Sequence, residues 1–195
     1  MKVVHCIYSF NPGGVETFLF NLTKEISSKN IETYILSFYG GPLRDKFEKV
    51  GAHVVVLGDI KQYKTHRLLY KSLKNIKPDI VNNHMGIVSG INALICKRLH
   101  IPFILYSHST RTIDYGASVL YKILTNINLF VAKKLMTCGI GVSVDACKNR
   151  WGADFEKKRA RYVSLGIDFS RYAPSSNRDK ENYEIREQMG IPKDA

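Results

Sequence analysis

Short apolar runs alternate with longer amphipathic runs along most of the chain, and this alternation constrains the fold more than any other feature. The run Lys2–Ser9 is apolar and contains β-branched residues, as in a buried parallel strand, and apolar residues recur at helical spacing over residues 15–29. Ile80–Asn83 and Phe103–Ser107 are later runs of the strand type. Repeated strand–helix units predict a parallel sheet covered by helices on both faces. We therefore expect an α/β fold, with a doubly wound parallel sheet in a Rossmann-like domain.

The sequence changes character towards its end. Residues 171–182 contain Pro174, two serines, asparagine and several charged side chains, which is typical of a linker. Residues 184–189 then favour a helix, and no further strand pattern follows. We predict that residues 1–170 form the Rossmann-like domain, and that residues 171–195 are a linker and the lead-in to a second domain that this chain lacks.

The charge of the chain favours an anionic partner. Its 29 lysines and arginines outnumber its 17 aspartates and glutamates, and the formal net charge is +12. Such a charge suits a phosphorylated substrate, an acidic lipid surface or a nucleic acid. The basic residues are spread along the chain, and neither a zinc-finger spacing nor an aromatic RNA-binding stretch occurs, so we expect no nucleic-acid partner.

Two further features bear on the compartment. No apolar run reaches the roughly 20 residues that span a bilayer, and the first residues lack the apolar stretch and cleavage site of a signal peptide. The four cysteines are scattered and form no CxxC pair, which is typical of free thiols in a reducing compartment. We expect a cytoplasmic protein.

A glycine-rich loop, SFNPGGVETF, lies between the first predicted strand and the first predicted helix. Ligands of open parallel sheets bind beyond the carboxyl ends of the strands, so a ligand is expected near this loop. Gly13 and Gly14 would let the backbone approach a ligand, and the following helix would offer N–H groups and a positive dipole end to a phosphate. Glu16 suits that dipole but could equally bind a sugar hydroxyl. The bare pattern also fits a simple tight turn, and it is neither a dinucleotide fingerprint nor a P-loop.

Two histidines directly follow predicted strands. His84 lies in PDIVNNHMG and His108 lies in FILYSHSTR. A lone histidine is more often structural than functional. Two histidines at the sheet edge that also carries the glycine loop favour a functional role, more strongly for His108 than for His84. The intrinsic pKa of histidine lies near neutrality, so His108 could hydrogen-bond a ligand or assist proton movement.

Three segments together resemble glycosyltransferase family 4, whose members have the two-domain GT-B fold. PGGVETFLFNL is similar to the glycine-rich loop and first helix of the family, and FILYSHSTR is similar to its strand-end histidine segment. VSLGIDFSRYAP resembles the hinge of the family, with Leu165 in the place of the usual asparagine. The resemblance covers nearly the whole chain and implies that it is the N-terminal, acceptor-side half of such an enzyme.

The resemblance implies a retaining glycosyltransferase of the hexosyltransferase type. Such an enzyme would transfer a sugar from a nucleotide-sugar donor to a polysaccharide or lipid-linked acceptor in cell-surface glycan synthesis. Gly13 and Gly14 would contact the donor diphosphate, and His108 would lie at the catalytic centre, where the leaving phosphate helps to deprotonate the acceptor. We expect Asn11, Glu16 and Thr17, which flank the two glycines, and also His84 and Arg111, to contact the acceptor or the sugar. Arg111 could also bind a phosphate of donor or acceptor. The donor domain of the family, with its paired glutamates, is missing from the sequence, so we expect the 195 residues alone to be inactive.

We expect neither a metal nor another cofactor, because the nucleotide sugar would be a substrate. The sequence contains no D-x-D, no H-E-x-x-H and no cysteine–histidine cluster that would offer metal ligands. Two other functions fit the same sequence. One is a non-catalytic α/β module that binds a phosphorylated ligand. The other is an epimerase of the same two-domain fold, against which the Gly-Gly-x-Glu loop argues.

Residues 117–135 form a long apolar helix pattern. The apolar residues recur at helical spacing, and Lys122, Lys133 and Lys134 interrupt or flank them. A stripe of this kind more often belongs to the core, but it also suits a helix that lies on an anionic membrane surface. Peripheral contact with the inner face of the membrane is therefore the alternative expectation for this helix.

Overall fold

The computed structural model describes residues 1–109, 118–166 and 178–192. The chain divides into two compact units, Met1–Ser164 and Leu165–Ala195. The predicted boundary after residue 170 lies outside the described residues, and so does Arg111.

The first unit is built on a sheet of seven parallel strands. In chain order they are β1 (Lys2–Ser9), β2 (Glu32–Tyr39), β3 (His53–Val56), β4 (Ile80–Asn83), β5 (Phe103–Ser107), β6 (Cys138–Gly141) and β7 (Ala160–Tyr162). Their spatial order is β3-β2-β1-β4-β5-β6-β7, and every neighbouring pair is parallel. The chain therefore runs outward in one direction from β1 and in the other from β4, which confirms the predicted doubly wound sheet. The switch point between β1 and β4 is where such sheets bind ligands.

Helices connect the strands. They are α1 (Gly14–Ile26), α2 (Arg44–Lys49), α3 (Tyr63–Ile76), α4 (Ser89–Arg98), α5 (Val119–Leu135) and α6 (Val144–Trp151), with α7 (Arg178–Gln188) in the second unit. A short 3-10 helix, Phe155–Lys158, precedes β7. The sequence patterns predict each of these α-helices, with ends that differ by a few residues for most of them. They do not predict β7, because this strand has three residues and only Ala160 is buried in it.

Two apolar clusters cover the two faces of the sheet. Val4 and Cys6 belong to the larger cluster, whereas Ile7 belongs to the smaller one, because successive strand residues point to opposite faces. Leu19 of α1 and Phe47 of α2 also belong to the smaller cluster. The strands are thus buried on both sides, which explains why the sequence shows continuous apolar runs there.

The apolar stripe of α5 does not enter the core. This helix turns Thr125, Leu129 and Ala132 inward, and its backbone lies so close to α4 that a Cβ on Gly90 would be 2.7 Å from the carbonyl oxygen of Asn128. The large apolar residues left exposed are Val119, Leu120, Ile123, Leu124, Ile127 and Phe130. The interpretation of the stripe as core is therefore wrong. No helix in the described parts of the chain is long and apolar enough to cross a bilayer.

Candidate functional site

The three central strands of the sheet bring the predicted residues to one edge. The glycine loop follows β1, His84 follows β4 and His108 follows β5. Register explains which face their side chains share. His5 of β1 lies opposite Asn82, which lies opposite Ile104, so His84 and His108, at even offsets beyond these residues, project from the same face as His5.

Three histidines form a continuous chain of hydrogen bonds on that face. Nδ1 of His5 lies 3.0 Å from Nε2 of His84, and Nδ1 of His84 lies 2.6 Å from Nε2 of His108. The sequence pattern places His84 and His108 at one edge, but it does not single out His5. The only local signal was a histidine within an otherwise apolar strand, and its partner is set by the pairing of β1 with β4.

Two aromatic rings, Tyr106 and Phe18, pack against the histidine chain. The ring of Tyr106 stacks on His108 with a centroid distance of 4.4 Å and on His84 with a centroid distance of 5.0 Å. Phe18 of α1 lies 5.8 Å from the ring of His108, and 6.5 Å from that of His84. Because these contacts restrict ring rotation, the histidines have a fixed orientation relative to one another.

The histidine rings are neutral at physiological pH. Burial lowers the pKa of His5 to about 4 and that of His108 to about 4. Burial also lowers the pKa of His84 well below its usual value, and the neighbouring His5 and His108 lower it further. Each nitrogen–nitrogen contact therefore joins one N–H donor to one lone pair. Within the described part of the chain, no group of three or more histidine, cysteine, aspartate or glutamate side chains is arranged to hold a metal ion.

The glycine loop ends at the first turn of α1. Gly13 is the residue that precedes the helix, and it has no side chain to cap the N–H groups there. Neither Gly13 nor Gly14 has a positive φ, so the turn itself does not require glycine at these positions. A Cβ on Gly13 would lie 2.5 Å from Oε2 of Glu16, whereas a Cβ on Gly14 would have no atom within 4 Å. Gly14 therefore leaves an open surface at the start of a helix, where an anion binds well.

The remaining predicted residues of this loop surround the helix start. Asn11 and Thr17 are exposed, and the backbone N–H of Asn11 donates to Oγ of Ser9 at 3.3 Å. Glu16 is half-buried, and burial raises the pKa of its carboxyl group, while a hydrogen bond from its own backbone N–H lowers it. Asn11, Glu16 and Thr17 lie within three positions of Gly14 in the sequence. Their side chains include both hydrogen-bond donors and hydrogen-bond acceptors.

A second polar feature lies on the other face of the sheet. A cavity of about 140 Å³ is lined by Lys133 of α5 and Arg150 of α6, together with Asn126, Leu129, Phe130 and Asn149. Nε of Arg150 donates to Oγ of Ser107, the last residue of β5, at 3.3 Å. Burial, followed by the proximity of Arg150 and Lys158, lowers the pKa of Lys133. The sequence did not single out Arg150, because its contact with β5 depends on the packing of α6.

The fold and a family match define the class of protein. The doubly wound parallel sheet with its flanking helices matches the fold of GT-B glycosyltransferases among the solved structures that resemble the chain. The model of Glycosyltransferase Family 4 matches residues 12–171, and the chain belongs to this family. The epimerase alternative is therefore not supported by the family match.

Several relatives share the fold at low sequence identity. Alr3699/HepE of Anabaena, solved in complex with UDP, superposes with a TM-score of 0.74 at 15% identity over 97% of this chain and 50% of its own. A glycosyltransferase from Rickettsia africae ESF-5 gives a TM-score of 0.68 at 16% identity, over 98% of this chain and 50% of its own. EpsF of Bacillus subtilis (strain 168), whose name assigns it to the glycosyltransferases, is 22% identical over 194 residues, which are 95% of this chain and 50% of EpsF. The chain thus spans about half the length of its relatives.

Proposed function

We propose that this chain is the acceptor-side domain of a retaining glycosyltransferase. The enzyme transfers a hexose-type sugar from a nucleotide-sugar donor to a polysaccharide or lipid-linked acceptor in cell-surface glycan synthesis. The observation that carries the proposal is the shared sheet edge, where the open helix start at Gly14 lies beside the strands that end in His84 and His108. The structures of HepE with UDP and with UDP-glucose support a nucleotide-sugar donor.

The start of α1 would bind the donor diphosphate. Gly13 offers no side-chain cap to its first N–H groups, of which that of Glu16 bonds to the Glu16 carboxylate, and the helix dipole adds positive potential at the same place. Because no atom lies within 4 Å of the Cβ position of Gly14, a phosphate oxygen can approach the backbone there without a steric clash. The helix start would supply the positive field that a metal ion supplies in other transferases, so we propose transfer without a metal or other cofactor.

His108 would act at the reacting centre by hydrogen bonding. Its pKa of about 4 makes it a weak base at pH 7, which fits a retaining reaction in which the leaving phosphate takes the proton of the acceptor hydroxyl. Asn11, Glu16 and Thr17 would bind sugar or acceptor hydroxyls, and Arg111 would bind a phosphate of donor or acceptor. His84 would hold the ring of His108 in place through the hydrogen bond between Nδ1 of His84 and Nε2 of His108.

The exposed face of α5 would rest on the membrane. Ile123, Ile127 and Phe130 are 50%, 54% and 62% exposed and lie along one side of the helix. Lys133 and Lys134 lie in its last turn, and the net charge of the chain is +12. Apolar residues beside lysines suit an anionic bilayer surface, so we propose peripheral contact of a cytoplasmic protein with the inner face of the membrane.

The direct test uses the whole gene product that carries this chain. It is incubated with a panel of nucleotide sugars and a lipid extract from the same cells, and release of the nucleotide is followed over time. We expect release with one donor, dependent on the extract, and none from the 195 residues alone, since the relatives are about twice as long. Binding of a phosphorylated ligand with no release from any donor would instead favour the non-catalytic module.

A further inference from the structure

Two cationic side chains face the cavity between α5 and α6. Lys133 of α5 and Arg150 of α6 line this cavity of about 140 Å³, and both side chains are half-buried. Arg150 is held there by its bond to Ser107, which precedes His108 in the chain. Because successive strand residues point to opposite faces, the cavity lies across the sheet from His108, and none of its lining residues belongs to the histidine chain or the glycine loop.

Neither cation has a counter-charge in the described part of the chain. No described carboxylate forms an ion pair with Lys133 or Arg150, whereas the neighbouring Lys158 pairs with Asp154 at 2.7 Å. Nζ of Lys133 and the two Nη atoms of Arg150 also have no hydrogen-bond partner among these residues. None of the three atoms is among the buried side-chain atoms that lack a partner, so solvent or a ligand can reach them.

Two half-buried cations that share a cavity favour the binding of an anion. Burial lowers the pKa of the Arg150 guanidinium, which nevertheless stays charged at physiological pH, and the charge of Arg150 lowers the pKa of Lys133. A phosphate between the two side chains would offset this repulsion and accept their free N–H groups. Asn126 and Asn149 also line the cavity, and their exposed amides offer further donors.

The exposed apolar side of α5 borders this cavity. Phe130 lines the cavity and is 62% exposed, and Ile127 and Ile123 continue the same side of the helix at helical spacing. Nζ of Lys134 lies over the Phe130 ring, 5.6 Å from its centre. An anion site beside such a surface suits an amphiphile, with its phosphate in the cavity and its hydrocarbon chains against Phe130.

We propose that Lys133 and Arg150 form a binding site for a membrane lipid whose head group is a phosphomonoester. Such a group carries a charge of about −1.5 to −2 at pH 7 and three terminal oxygens, so it can pair with both cations at once. A phosphodiester head group carries a single charge and has two of its oxygens blocked by ester bonds. The lipid source of the phosphate rests on the proposed membrane contact of α5, and the site is independent of sugar transfer.

Vesicle binding by the whole gene product tests this site without any sugar donor. Phosphatidylcholine vesicles contain either phosphatidic acid, a phosphomonoester, or phosphatidylglycerol, a phosphodiester, in amounts that give the same zeta potential. At equal salt concentration we expect an affinity about tenfold higher or more for the phosphatidic acid vesicles, because both cations then have a charged partner. Equal affinity for the two kinds of vesicle would overturn the proposal.

Charge-removing variants locate the preference in the cavity. Lys133→Gln should reduce the preference for phosphatidic acid about fivefold or more. Lys134→Gln is the matched control, because it removes the same charge from the same turn of α5 outside the cavity lining. It should weaken binding to both vesicles equally. Arg150→Gln should act as Lys133→Gln does, with urea unfolding as the check on loss of the bond to Ser107. A Lys133→Gln variant that keeps the full preference would overturn the proposal.

Glycerol 3-phosphate distinguishes a lipid from a soluble phosphate compound. We expect it to bind far more weakly than phosphatidic acid vesicles, and binding of equal strength would overturn the assignment to a lipid. Binding to phosphatidylglycerol vesicles without a preference for phosphatidic acid would contradict only the phosphate site. A lack of binding to either vesicle would contradict the membrane contact of α5 as well. A protein that transfers no sugar would contradict only the proposed reaction, because vesicle binding does not depend on activity.

Discussion

Nδ1 of His84 lies 2.6 Å from Nε2 of His108, and this contact joins the ends of the adjacent strands β4 and β5. The two residues are 24 positions apart in the chain, so the contact exists only when the sheet has formed. The same His84 ring also pairs with His5 of β1. Loss of the central ring should therefore affect the folded state as well as the candidate site.

Replacement of His84 by phenylalanine is expected to lower the free energy of unfolding by about 1–3 kcal/mol. The variant keeps an aromatic ring against Tyr106 but leaves His5 and His108 without their shared partner. Urea unfolding of the 195-residue chain measures the change. His53→Phe is the control at an exposed position. A His84→Phe variant as stable as the wild type would show that these contacts contribute no net stability.

Replacement of Gly14 by alanine should weaken the binding of the donor nucleotide and leave the stability of the fold unchanged. No atom lies within 4 Å of its Cβ position, so we expect stability to stay within about 0.5 kcal/mol of the wild type. Affinity of the whole gene product for the nucleoside diphosphate of the donor found in the panel should nevertheless fall about tenfold or more, measured by calorimetry, because the methyl group would occupy the space of a phosphate oxygen.

The matched control for this prediction is Gly141→Ala in β6. There a Cβ would lie 2.5 Å from Sγ of Cys147 and 3.1 Å from its backbone nitrogen, so we expect a loss of about 1–3 kcal/mol in stability. Affinity for the same nucleoside diphosphate should be unchanged once the variant is folded. Unchanged affinity in Gly14→Ala would remove this glycine from the donor site.

Acidification is expected to destabilise the domain through the buried histidines. The pKa of His5 and of His108 is about 4 in the folded state and 6.5 in an exposed chain. Between these two values the unfolded chain binds protons that the folded chain does not, so stability rises with pH across this window and levels off above it. The slope is about 1.4 kcal/mol per pH unit for each histidine.

Urea unfolding at several pH values from 4 to 7 measures this slope. Glu16 contributes with the opposite sign, because burial raises the pKa of its carboxyl group and stability falls as that group ionises. Comparison of the wild type with His84→Phe cancels the contribution of Glu16. Identical slopes in the two proteins would contradict the burial of His84 as a neutral ring.

The exposed face of α5 predicts binding to anionic vesicles. Phosphatidylglycerol vesicles should co-sediment the chain, phosphatidylcholine vesicles should not, and added salt should weaken the binding. Ile123→Ser combined with Ile127→Ser should weaken it about tenfold or more, because both side chains are about half exposed on this face. Leu94→Ser, at an exposed apolar position on α4, is the control. Equal binding of the double variant and the control would exclude this face as the membrane contact.

The strands β4 and β5 were predictable from the sequence because each is a short run that follows a break at a proline, Pro78 or Pro102. Since parallel strands end at a common edge, the sequence also predicts that His84 and His108 lie near each other. Their direct hydrogen bond could not be predicted, because it depends on side-chain orientation within the finished sheet. His5 was missed for a related reason: its partner is fixed by the register of β1 against β4, and no local pattern encodes that register.

The apolar stripe of α5 shows a second limit of sequence patterns. Periodicity shows that one side of a helix is apolar, but it does not show which side packs against a neighbour. In this chain α5 packs closely against α4 at Gly90, and the side of α5 that contains Ala132 is buried. The apolar stripe lies on another side of α5 and is exposed. The sequence also does not predict the short strand β7. Its three residues have only a weak local preference for a strand, and β7 forms because it pairs with β6.

The central claim is that sugar transfer takes place at the sheet edge that carries His108. The most direct measurement compares kcat of the whole gene product with that of His108→Ala and of the control His53→Ala, using the donor found in the panel. We predict a loss of about 100- to 1,000-fold in His108→Ala, as for removal of one hydrogen-bond donor from a reacting centre, and no loss in the control. Equal kcat in all three proteins would contradict the assignment and move the chemistry away from this edge.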